Sequence, residues 1–132
     1  LDHAAELAEH FSAELVLVHV VAPIPVAMPT AAGQMPLRMD VYRDAVLEDA
    51  RNKLEEIVGS RMPENLDVRT EIPWGAAAET IVELADTTES DLIVICTRGA
   101  TGLSRFVSGS VTEKVVRLSN VPVLTVQAED DD

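Results

Sequence analysis

Apolar residues recur along this chain at two alternating spacings. Ala4, Leu7, Ala8 and Phe11 repeat at helical intervals, which predicts a helix at the very start. Residues 15–21 (LVLVHVV) follow as a nearly unbroken, valine-rich run, the pattern of a strand buried on both faces in a parallel sheet. His19 interrupts that run and reads as a hydrogen-bonded core histidine. Pro23, Pro25, Pro29, Gly33 and Pro36 then forbid regular structure and mark a loop. A long helix is predicted over 40–58, with Val46, Ala50, Leu54 and Ile57 along one face and Gly59 closing it. Residues 68–72 read as a strand stopped by Pro73, and Ala77, Ile81, Leu84 and Ala85 mark a third helix. Residues 91–96 (DLIVIC) form the plainest buried strand. A last helix spans 110–118, and the final strand opens at Val121 and closes at Val126. Pro122 marks it as an edge strand, where a missing amide does least harm.

Strands separated by helices imply an α/β fold, a doubly wound and mostly parallel open sheet flanked by helices, with right-handed crossovers. Residues 1–132 are expected to form a single domain with an acidic tail at 128–132 and no internal repeats. Such a domain normally opens on a strand, whereas this chain opens inside a helix. The first strand is therefore expected to be missing from it.

Composition narrows the classes. Apolar residues make up 47% of the 132 positions, enough to fold around a core, yet aromatics are only 3%, so aliphatic side chains must fill it. The net charge is −13, from 23 acidic and 10 basic residues, of which only Lys53 and Lys114 are lysines. That surface repels nucleic acid and anionic lipid, so partners of those kinds are not expected. Carboxylate excess with so little lysine also has the look of a halophile surface, whose self-repulsion salt would screen.

Cys96 is the sole cysteine, so no internal disulfide forms and a cytoplasmic setting is expected. The apolar runs are too short to span a bilayer, and with no basic stretch at the start of this sequence a signal peptide is not expected. His3, His10 and His19 lack the spacing and the partners of a metal site.

The stretch with chemistry in it runs from Cys96 to Lys114, between a buried strand and a helix, where open α/β sheets bind ligands. Gly99 and Gly102 permit close approach of backbone to ligand, and both also suit an ordinary tight turn. Gly109 and Ser110 open a helix whose first amides favour an anion. Ser110 and Glu113 equally have the spacing of a capping box, which would make Ser110 a structural cap. Cys96 reads as a small apolar residue closing a strand, with a redox-active thiol as the alternative.

Taken whole, G-x9-G-S followed by V-T-E-K-V-V-R and N-V-P-V-L-T-V resembles the universal stress protein family. Residues 91–95, Trp74-Gly75 with Ala78, Glu79 and Ile81, and His19-Val20-Val21 fit the same resemblance. It implies an ATP site on the motif G-x2-G-x9-G-[ST], with Gly99, Gly109 and Ser110 at matching positions. Gly109, Gly99 and Ser110 would hold phosphates, Val111 and Thr112 would add amides, and Arg98 would reach a phosphate. Val20 would lie by the adenine and Ile95 by the ribose and base. Cys96 replaces the motif's first glycine. The resemblance further implies a central first strand, whose absence leaves an exposed edge.

The function that follows is a dimeric, ATP-binding regulatory or stress-response module, binding magnesium only together with ATP. Its homodimer would form through the strand from Val121 to Val126. No catalytic residue is marked: the Walker pattern G-x4-G-K-[ST] is absent, and Glu113 reads as a cap. A weak ATPase and a nucleotide-free dimer disabled by Cys96 and the missing strand are the competing readings.

Overall fold

A computed structural model of the chain describes residues 1–23, 39–97 and 109–127. The chain divides into two units, Leu1–Trp74 and Gly75–Asp132.

In the first unit, α1 (Asp2–Phe11) turns Ala4, Ala5 and Ala8 inward and carries Asp2 in its first turn, where an acid suits the helix dipole. Ser12 ends it in the left-handed conformation, and the Ala13 amide donates back to the Ala8 carbonyl at 2.8 Å. β1 (Leu15–Val18) pairs in parallel with β2 (Val68–Glu71), Leu15 opposite Val68 and Val18 opposite Glu71. Backbone bonds from His19 to Glu71 and from Val21 to Pro73 extend the ladder to a bridge between Val21 and Trp74. Between the strands lies α2 (Met39–Arg61), which buries Ala50 and Leu54.

Two expectations need correcting here. Gly59 does not close α2: the helix runs on to Arg61, Ser60 bonds back to the Glu56 carbonyl, and Arg61 pairs with Asp2 at 3.0 Å. His19 is exposed just past the end of β1 and is no core residue. The β1 residues themselves are half-buried, because β1 is paired along one edge only among the described residues.

In the second unit, α3 (Ala77–Thr87) and α4 (Ser110–Leu118) cover β3 (Ile93–Cys96) and β4 (Val123–Val126). The strands pair in parallel, Ile93 opposite Val123 and Cys96 opposite Val126. Ala78, Ala85, Ile93 and Val115 form the core, with Ile81, Val82, Ile95, Val121 and Val123 packed around it. Val115 is fully buried, the largest side chain to be so. The Pro122 carbonyl accepts the Ile93 amide, so the proline serves the ladder as an acceptor just before β4 begins.

Helix and strand alternate and every described pairing is parallel, the α/β class that the periodicity predicts. The ladders form two separate two-stranded sheets, so β1 and β3 each keep an unpaired edge among the described residues. No described helix is long and apolar enough to cross a membrane.

Candidate nucleotide-binding site

The carboxyl end of β3 and the start of α4 meet through two hydrogen bonds. The Gly109 amide donates to the Thr97 carbonyl at 2.9 Å. The Thr112 hydroxyl donates to the Cys96 carbonyl at 2.7 Å, and Thr112 is only 3% exposed. The first intrahelical bond runs from the Glu113 amide to the Gly109 carbonyl at 3.0 Å. The amides of Ser110, Val111 and Thr112 therefore have no acceptor among the described residues, and the helix dipole adds positive potential in front of them. An anion is what such a turn favours.

Ser110 is exposed and makes no capping bond. Its capping-box spacing to Glu113 goes unused, because Gly109 holds the cap position and Ser110 already lies inside the helix. Gly109 adopts φ −55° and ψ 145°, angles open to any residue. A Cβ built there would meet only the Thr97 carbonyl, at an ordinary 3.5 Å. Nothing in the described backbone requires a glycine at 109.

The other predicted site residues fall as follows. Ile95 packs against the α3–α4 core, so its side chain serves the fold. Because side chains alternate along a strand, Cys96 lies on the face opposite Ile93 and Ile95; it is half-buried and unpaired in a disulfide. Val111 is 38% exposed at the start of α4. Val20 belongs to the first unit, half-buried just beyond β1. Arg98 and Gly99 lie outside the described residues, as does most of the proline-rich loop. No group of His, Cys, Asp and Glu capable of holding a metal occurs among the described residues.

Two contacts were not legible in the sequence. Lys114 of α4 pairs with Glu79 of α3. That hydrogen bond, with a further one from Glu79's own backbone, holds the Glu79 carboxyl below its ordinary value. In the first unit, the Arg43 guanidinium lies over the Trp74 ring at 5.1 Å. Both pairs join residues about thirty positions apart on different elements, where no local pattern marks them.

Comparison with known proteins gives the family. The family model described as "Universal stress protein family" matches residues 1–127. The chain is 33% identical to Universal stress protein MJ0531 of Methanocaldococcus jannaschii over 125 residues, covering 95% of this chain and 71% of that one. Its fold is similar to the solved structure of MJ0577 from the same organism, with a TM-score of 0.68, 27% identity, and coverage of 97% and 90% of the two chains. It is also similar to a universal stress protein solved in complex with cAMP, with a TM-score of 0.55, 25% identity, and coverage of 96% and 83%. With the α/β fold, the Gly109-Ser110 helix start and a family match over nearly its full length, this chain belongs to the universal stress protein family.

Proposed function

We propose that this chain binds ATP at the junction of β3 and α4 and acts through that binding as a regulatory module. The observation that carries the reading is the start of α4. Three amides there have no acceptor among the described residues, and the Ser110 hydroxyl is exposed, behind a glycine whose backbone angles any residue could adopt. The nucleotide held by a structurally similar family member supports the adenine part of the assignment. Gly99 and Arg98 would complete the phosphate contacts, and magnesium would arrive with the ATP. No described side chain at this junction is placed to act as a general base, so the reading is one of binding.

The same reading takes the active form to be a homodimer joined along β4. β4 pairs with β3 on one edge, leaves its other edge unpaired among the described residues, and exposes Leu124 by 39%. An open apolar edge of this kind is either an interface or an aggregation hazard. A nucleotide-free dimer is the second reading, favoured by one observation: Cys96 stands where the family motif has its first glycine.

A calorimetric titration of ATP with magnesium, run at high salt on a sample whose mass is known from light scattering, tests these readings together. Saturable binding by a dimer is expected. A dimer that takes up no ATP would leave the nucleotide-free reading, and a monomer would remove the β4 interface.

A further inference from the structure

At the carboxyl end of β3 the backbone carbonyls of Cys96 and Thr97 stand beside the first turn of α4. A carbonyl oxygen carries negative partial charge, and one left bare next to an anion repels it. Neither is bare: the Gly109 amide covers the Thr97 carbonyl at 2.9 Å, and the Thr112 hydroxyl covers the Cys96 carbonyl at 2.7 Å. Acceptors at this junction are thus matched from inside the protein, while the amides of Ser110, Val111 and Thr112 stay unmatched among the described residues. Thr112 is moreover the sole buried polar residue among those described. A β-branched residue in the first turn is a mediocre helix former, and its hydroxyl bond gives a physical reason for it here.

We infer that Thr112 is a positioning residue that makes this site selective for phosphate. Its hydroxyl neutralises the Cys96 carbonyl and seats the first turn of α4 on the end of β3, so that the three amides without a described acceptor meet an anion with no bare carbonyl of Cys96 or Thr97 beside it. The side chain itself does not touch the ligand. This goes beyond the amide role that the family resemblance implies for Thr112, and it rests on the nucleotide-binding reading above.

The test compares ATP with magnesium, inorganic triphosphate and adenosine by calorimetry, using the full chain and its Thr112→Val and Thr112→Ser variants. Thr112→Val keeps the shape and removes the donor. It is expected to weaken ATP and triphosphate by about tenfold while leaving adenosine within about twofold. Thr112→Ser restores the donor and is expected to recover ATP to within about threefold of the parent chain. Should Thr112→Val melt below the assay temperature, Thr112→Ala is read in the same way. Equal losses for ATP and adenosine would reduce Thr112 to a general packing role and overturn the inference. So would unchanged ATP affinity in Thr112→Val, or a serine variant that fails to recover. If the parent chain binds neither ATP nor triphosphate, the nucleotide reading itself falls and takes this inference with it. That outcome is separable from the others because it needs no variant.

Discussion

Two helices in the second unit begin in closely similar ways but differ in what their first turns meet. α3 follows Gly75 and Ala76, α4 follows Gly109, and neither has a side-chain cap. Gly75 sits at φ +151°, and a Cβ there would run into the Thr80 hydroxyl, so the turn itself demands a glycine. Gly109 has ordinary angles, and among the described residues a Cβ there would meet only the Thr97 carbonyl, at an ordinary 3.5 Å. At α3, the carboxylate of Glu79 in the first turn accepts a bond from its own backbone and pairs with Lys114, so the protein supplies its own anion. At α4, Ser110 opens the first turn with an exposed neutral hydroxyl that bonds to no described residue, and the first-turn acid, Glu113, is itself exposed. A helix start is thus not a ligand site because it is a helix start. On the proposed reading α4 becomes one because its first amides keep no acceptor among the described residues.

Gly109→Leu should break this contrast most severely. ATP affinity is expected to fall by about a hundredfold or more, because the side chain would occupy the space left for a phosphate. Melting temperature should hardly move, given the permissive angles and the single 3.5 Å contact. Calorimetry beside a thermal melt reads both quantities, and binding that survives intact would put the site elsewhere.

Gly75→Ala should show the opposite pattern. Forcing a Cβ into a positive-φ turn costs about 1–3 kcal/mol of stability, which denaturant unfolding resolves. A variant as stable as the parent would mean that the turn relaxes without strain.

The smallest effect belongs to Glu79→Gln. Because the folded carboxyl lies below its ordinary value of about 4.5, the ion pair's contribution is complete above that pH. It is lost as the pH drops through the lowered folded value. A slight fall in melting temperature is expected near neutrality, closing under acid, since the pair is exposed. A difference that persists at pH 3 would assign the effect to something other than the charge.

The first unit offers a further contrast at its own carboxyl end. Val21 bridges Trp74, the indole N–H is buried without an acceptor among the described residues, and Arg43 lies over the ring. That end buries a side-chain donor, whereas at the junction of β3 and α4 the donors without a described acceptor are backbone amides. Residue types alone would not have separated the two, since each is an apolar strand running into a polar turn.

Periodicity sufficed for much of this protein. The α/β class, the order of four helices and four strands, and the start of α4 at Ser110 all follow from apolar spacing and from glycine and proline, which act within a few residues. Family membership was legible as well, because the segment from Gly109 onward is specific as a string. Tertiary structure decided everything that joins positions distant along the chain. It left His19 exposed, carried α2 through Gly59, and turned Ile95 into the core. It gave the hydroxyl of Thr112 to a carbonyl sixteen residues away. The reason is physical: a spacing rule reports which face a side chain takes on its own element, but not which donor will meet which acceptor once two elements have packed.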